Sequence, residues 1–238
     1  MHIVKLDAVD STNRFLKDLC HAADPDNFTV ITARNQTAGR GQMGATWVSE
    51  PGQNLTFSVL LRDLELPVGD QFVINIAVSV AIVSVLLKHH IADTSIKWPN
   101  DILAGKKKVG GILIENVISG SSFYTIAGIG LNVNQVNFEG FPRAGSLKCA
   151  TLKSFDLDLL LNEILESLRY HIGFIHEPDY LLTYYLGYLF NKDRVAVFRQ
   201  GTATFNGIIR GITPAGELIV ETEDKMHHFR LKEVEMQY

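Results

Sequence analysis

The sequence predicts an α+β fold: a mixed sheet flanked by helices, followed by a small C-terminal β-barrel. Three observations carry this. Runs rich in Val, Ile, Thr and Phe at 28–33, 55–61 and 109–117 are punctuated by glycine and proline turns, as strands are. Two long apolar segments, at 70–90 and about 156–175, have helical length and patterning. Beyond Asn191 the chain turns to short strands spaced by Gly201, Gly207, Gly211, Pro214 and Gly216, which is the pattern of a small barrel. The domain boundary is expected near Asn191, giving units 1–190 and 191–238.

The elements follow in order. A short strand over 2–6 opens the chain. Asp10-Ser11-Thr12 offers a helix cap, and Phe15, Leu16 and Leu19 form the apolar stripe of the next helix. The helix over 70–90 is interrupted by Asn75, Ser79 and Ser84. It falls short of the ~20 apolar residues of a membrane span, so it reads as buried core. A strand over 94–98 stops at Pro99. Residues 102–104 and 109–117 form a hairpin around Gly105-Lys106-Lys107-Lys108, with Lys106 and Lys107 as its solvated tip. Ser119-Gly120-Ser121-Ser122 is a further turn, before a strand over 123–129. Residues 136–151 read as a loop holding Gly140, Pro142 and Gly145. Leu157, Leu160, Leu161, Ile164, Leu165 and Leu168 share one side of the second long helix, and another helix follows Pro178.

Composition excludes several classes. A chain of 238 residues with net charge −4 has no general nucleic-acid footprint. Cys20 and Cys149 lie far apart with no C-x-x-C, so neither a disulfide framework nor a zinc site is expected. The histidine pairs His89-His90 and His227-His228 have no metal-ligand company in the sequence. Asp7 and Asp10 and the lack of a long apolar run argue against a signal peptide. A cytoplasmic protein is expected, without a membrane partner.

Chemistry concentrates in two places. Gly39-Arg40-Gly41-Gln42-Met43-Gly44 fits G-x-G-x-x-G, but a strand rather than a helix follows it, which argues against a dinucleotide fold. A P-loop motif is absent. Some ~55 residues later, Lys97-Trp98-Pro99-Asn100-Asp101 sets an amide and a carboxylate at the end of a strand, just before Lys108-Val109-Gly110-Gly111. Glycines let the backbone approach a phosphate, and cations offset its charge. These are the parts of a site that activates an acid with a nucleotide.

Five ordered segments resemble the motif series of biotin–protein ligases. They are Asp10-Ser11-Thr12-Asn13, Gln36-Thr37-Ala38-Gly39-Arg40-Gly41, Lys97-Trp98-Pro99-Asn100-Asp101, Lys108-Val109-Gly110-Gly111-Ile112-Leu113 and Gly128-Ile129-Gly130-Leu131-Asn132. The resemblance implies a catalytic domain related to class II aminoacyl-tRNA synthetases and lipoate ligases, with an SH3-like C-terminal domain. It also implies two steps. ATP and biotin give biotinyl-5′-AMP, and a lysine of a biotin carboxyl carrier protein then takes the biotinyl group.

The resemblance also assigns roles. Ser11, Thr12, Asn13 and Gln36 would hold biotin; hydroxyls and amides match a ureido ring's donors and acceptor. Ser11 equally suits a plain helix cap. Gly39, Arg40 and Gly41 would form a flap over biotin and the adenylate, although Arg40 also fits a solvated turn. Lys108 is the expected central catalytic group, with Arg40 and Asp101. Gly111, Gly128 and Gly130 would leave room for biotin. Gln42, Trp47, Asn100 and Asn132 would contact the nucleotide, with Trp47 stacked on adenine and Trp98 in the core. Asp101 would hold Mg²⁺, directly or through water, or orient Lys108; Pro-Asn-Asp is otherwise an ordinary turn.

Two features depart from the family pattern. Gln42 stands where many members have a second arginine, which removes a cation from the loop. Catalytic-domain sequence starts at Met1, so a ligase without a helix-turn-helix module or DNA partner is expected; homodimerisation stays open. A lipoate or octanoate ligase is the nearest rival, and a silent biotin sensor is a rival from another class.

Overall fold

A computed structural model describes residues 2–67, 71–119 and 122–238. Asp70, expected to begin the long apolar helix, and Gly120 and Ser121 of the serine-rich turn lie outside the described residues.

The larger sheet has seven strands in the order β1-β2-β3-β7-β6-β5-β4. They are β1 (His2–Val9), β2 (Thr29–Gln36), β3 (Leu55–Arg62), β4 (Thr94–Lys97), β5 (Asp101–Ala104), β6 (Lys107–Ser119) and β7 (Ser122–Leu131). β1 and β2 run parallel, joined by helix α1 (Thr12–Ala22), and every other pairing is antiparallel. The sheet is therefore mixed, as expected.

Alternation along β3 builds two faces. Phe57, Val59 and Leu61 enter the main core, whereas Leu60 joins Leu16, Ile31, Val117, Tyr124 and Ile126 beneath α1. The main core is covered by α2 (Phe72–Lys88), buried on nearly every side. α4 (Leu157–Ile172) and α5 (Pro178–Gly187) pack on α2. A helix apolar all round must be enclosed, which is why this one became core rather than a surface helix. The Asp156 side chain caps α4, accepting from the Leu159 amide at 2.9 Å.

Residues 136–151 are not wholly loop. Ser146 caps a short helix, α3 (Leu147–Thr151), by accepting from the Cys149 amide at 3.1 Å. One turn of helix leaves too little periodicity to read from sequence.

The C-terminal part is a five-stranded antiparallel sheet, ordered β11-β10-β9-β8-β12. Its strands are β8 (Val195–Gln200), β9 (Ala203–Ile212), β10 (Leu218–Glu221), β11 (Met226–Phe229) and β12 (Glu235–Gln237). β11 and β12 lie at opposite edges, so the described strands form an open sheet and not the closed barrel expected. Its apolar face, including Phe198, Ile209, Leu218 and Val220, runs on into the main core. Trp98, expected in the core, is buried there and donates from Nε1 to the Gly216 carbonyl at 2.8 Å.

Candidate functional site

The register of the large sheet builds the site floor. Lys97 faces Asp101, Asp101 faces Gly111, and Gly111 faces Gly130 in one row across four strands. Two residues along, Leu113 faces Gly128, and Gly128 faces Ser58. Both rows belong to the face that carries α1, because side chains two apart on a strand share a face.

Lys108 reaches this face through an irregularity. The pairing of β5 with β6 slips between Ile102, opposite Gly110, and Leu103, opposite Lys108. Residues three apart normally point to opposite faces, but the one extra residue of a bulge restores the same face. The Lys108 side chain consequently lies beside Gly111: a β-carbon there would be 3.4 Å from Nζ. Lys108 Nζ pairs with Asp101 Oδ1 at 2.5 Å, and Lys97 Nζ stands 3.9 Å from Oδ2. Burial pushes the Lys97 ammonium below its ordinary pKa; Asp101 opposes the shift and Lys108 adds to it. The backbone of Lys108 is held by residues 143–145, receiving from Gly145 N at 3.0 Å and donating to Arg143 O at 2.8 Å.

At the other end lies a buried polar network. Thr12 donates from its amide to Gln36 Oε1 at 2.8 Å, and its hydroxyl lies 3.1 Å from the same atom. Ser58 Oγ is 2.7 Å from Thr12 Oγ1 and 2.6 Å from Asn13 Oδ1. Asn13 Nδ2 donates to Glu115 Oε2 at 2.6 Å. Ser11 holds the N-cap position but makes no side-chain cap bond, so the cap reading does not account for its hydroxyl. Ser58 and Glu115 were missed in the sequence. A single serine in an apolar strand is a faint signal, and only the pairing with α1 gives it meaning.

The glycine loop closes over this floor. Gly41 N donates to Ala45 O at 2.7 Å, and Trp47 N to Gly39 O at 3.0 Å. Arg40 pairs with Thr46 across the loop. Any side chain at Gly39 would strike the Trp47 carbonyl and come within 3.2 Å of Gln36 Nε2, so glycine lets the two ends of the loop meet.

The cavity between these parts is about 220 Å³. Ser11, Thr12, Asn13, Gln36, Arg40, Gln42, Trp47, Asn100, Asp101, Lys108, Gly111, Gly128 and Gly130 all line it. Gly39 and Asn132 lie outside the lining. Asn132 is buried and donates from Nδ2 to the Gly145 carbonyl at 2.9 Å. Asn100 Nδ2 is bound to the Ile112 carbonyl at 2.6 Å, which ties it to β6. The space over two floor glycines is filled from within the protein. A β-carbon at Gly128 would collide with the Asn13 amide, 2.8 Å from its Cγ, and one at Gly130 would lie 2.5 Å from the Trp47 ring. Trp47 thus rests on the glycine floor, with its Nε1 buried and without a partner among the described residues. Lys106 is exposed at the hairpin turn; Lys107, also exposed, donates to the Pro142 carbonyl at 2.5 Å and so is more than a solvated tip.

Fold and site define an α+β domain with one polar cavity: hydroxyls and amides at one end, ammonium groups and one carboxylate at the other. Residues 6–132 match the biotin/lipoate A/B protein ligase family, and residues 194–230 match the biotin protein ligase C-terminal domain. The chain belongs to the biotin protein ligase family. It is 32% identical to the bifunctional ligase/repressor BirA of Bacillus spizizenii, over 99% of this chain and 74% of that protein. It is 31% identical to the biotin–[acetyl-CoA-carboxylase] ligase of Mycobacterium tuberculosis, over 91% of this chain and 83% of that one. The Aquifex aeolicus biotin protein ligase, solved in complex with biotin and ATP, superposes with a TM-score of 0.83 at 26% identity, covering 99% and 98% of the two chains.

Proposed function

We propose that this protein activates biotin with ATP and passes it to a lysine of a biotin carboxyl carrier protein. The biotin carboxylate oxygen attacks the α-phosphorus, the bond to the bridging oxygen breaks, and pyrophosphate leaves. The neutral carrier amine then attacks the acyl carbon, AMP departs and the amine loses a proton. The carrying observation is that one cavity is lined both by Thr12, Asn13 and Gln36, which the buried Ser58 braces from behind, and by the Lys108–Asp101 pair.

In this reading the polar end binds the ureido ring. Ser11 and Gln36 present the free hydroxyl and amide hydrogens, while Thr12 and Asn13 are braced by Ser58. An analogue lacking the ring's partners strands buried polar groups, which is how such a pocket rejects lipoate or octanoate. Lys108, reinforced by Lys97, neutralises charge growing at the α-phosphate. Arg40, Gln42 and the loop amides cover the adenylate. Trp47 must shift from Gly130 to stack on adenine, or else forms the wall on which the acyl chain lies.

Magnesium would be held chiefly by the nucleotide. Asp101 is the carboxylate within reach, both of its oxygens already face ammonium groups, and no cluster of three acidic, His or Cys residues exists among the described residues. One carboxylate plus phosphate oxygens suits this ion, which would screen the phosphates when bound. Among the described residues no helix is long and apolar enough to cross a membrane. The two cysteines, far apart and without a C-x-x-C, suit a reducing compartment, so we place the protein in the cytoplasm, with units 1–190 and 191–238.

The test is incubation with Mg-ATP and labelled biotin, lipoate or octanoate, with and without a biotinyl carrier domain. Pyrophosphate release with biotin and label on the carrier lysine are expected. Efficient exchange with lipoate and none with biotin would overturn the reading.

A further inference from the structure

The C-terminal sheet meets the site at two places, and together they suggest a task for it. The first is an anchor. Trp98 is bonded to Gly216, and the Tyr238 ring sits between Lys97 Nζ at 5.0 Å and Arg143 Cζ at 4.9 Å. The sheet is therefore fastened to the segment that delivers Asp101. The second contact is with the glycine loop, from a turn that lines the same hollow as Lys97 and Trp98. Lys232 Nζ donates to the carbonyl of Met43, at the tip of the glycine loop, at 3.3 Å.

Both partners of that bond are held in an unusual backbone state. Met43 has φ of 53° and Lys232 has φ of 67°, in the left-handed region that side chains disfavour. Such conformations persist where the surroundings hold them, and they gather at functional sites. The Lys232 turn is closed firmly: Arg230 N donates to Glu233 Oε2 at 2.7 Å, and Glu233 N to Arg230 O at 3.1 Å. The loop tip is different. Met43 is 63% exposed, and among the described residues the other hydrogen bonds of 40–46 stay inside the loop.

We propose that Lys232 is a positioning residue that latches the glycine loop. The C-terminal sheet, anchored beside Asp101, then sets how often the site opens. A single exposed ammonium–carbonyl bond suits this task. It biases the loop toward closure, yet breaks easily enough for substrate entry in every turnover. The latch itself needs no ligand; its effect on adenylate retention rests on the function proposed above.

Hydrogen exchange on the full ligand-free chain tests the latch. In Lys232→Met the amides of Gly41 and Ala45 should exchange about 3-fold faster, the scale for losing one modest bond. Lys232→Arg, which can still donate, should stay near wild type, and β6–β7 amides should be unchanged in both, which controls for folding. With added biotinyl-AMP, the Met variant should also release the ligand about 3-fold faster. Equal loop exchange in wild type and Lys232→Met would overturn the latch. Faster release with unchanged ligand-free exchange would also overturn it, placing the ammonium on the ligand instead. Failure of the wild type to retain biotinyl-AMP would count against the proposed function, while ligand-free exchange would still decide the latch.

Discussion

Gly128→Ala separates two roles for a glycine that faces both the ligand cavity and the protein's own interior. The added methyl would collide with the Asn13 amide, 2.8 Å from Cγ and 2.9 Å from Nδ2. Asn13 cannot step aside freely. It is bound to Ser58 Oγ at 2.6 Å, to Glu115 Oε2 at 2.6 Å and to the Leu113 carbonyl at 3.4 Å. Overpacking of this kind costs ~1–3 kcal/mol. Pulling a buried amide from its partners costs a further ~1–3 kcal/mol. After partial relaxation the loss is about 2–5 kcal/mol, which lowers Tm by about 5–15 °C for a chain of this size. Thermal melts of Gly128→Ala, Asn13→Ala and the double variant measure it. Once Asn13 is truncated the clash is gone, so adding Gly128→Ala should cost less than ~1 kcal/mol more. A Gly128→Ala protein melting within ~2 °C of wild type, but binding biotin weakly, would refute this account. The glycine would then serve the ligand and not Asn13.

Other perturbations address the charged end and the scaffold. Lys108→Ala should lose adenylation by ~10²-fold or more, the scale for removing a transition-state charge partner, whereas Lys106→Ala should behave almost as wild type in pyrophosphate exchange. If the two swap behaviour, the reading of the hairpin is wrong. Gln42→Arg adds a cation beside the adenylate; a charge-assisted bond contributes ~1.5–3 kcal/mol, so single-turnover dissociation should slow by about 10-fold or more. An unchanged off-rate would put Gln42 away from the phosphate. Glu163 accepts from Lys88 Nζ at 2.8 Å and meets His89 Nε2 at 2.5 Å, and these bonds hold its carboxyl below the ordinary value of 4.5. A depressed folded pKa means stability that is present above the unfolded value and lost as pH falls through the folded one. Glu163→Gln should therefore lower Tm at neutral pH and flatten the acid limb below about pH 4.5; an acid limb identical to wild type would rule the pair out as its source.

Much of this protein is legible in the sequence because the relevant signals are local. Alternating and continuous apolar runs marked β2, β3 and β6, since a strand's exposure pattern is set by its own residues. The Asn75–Ser84 stretch marked a helix too interrupted for a membrane and too apolar for a surface. Gly39-Arg40-Gly41, Asn100-Asp101 and Lys108 could be marked as candidate chemistry from residue type and order alone. What the chain order could not supply was which side of the sheet each residue would face. Lys108 and Gly111 share a face only because of the bulge in β5–β6 pairing. Asn13, read as a ligand contact, lines the cavity and also fills the space above Gly128, held by Ser58 and Glu115, residues 45 and 102 positions away. Such partnerships are settled by strand register and by the docking of α1. The same holds for Lys232 and Met43, 189 residues apart. Their meeting depends on where the C-terminal sheet seats against Trp98, and each segment alone records only a turn.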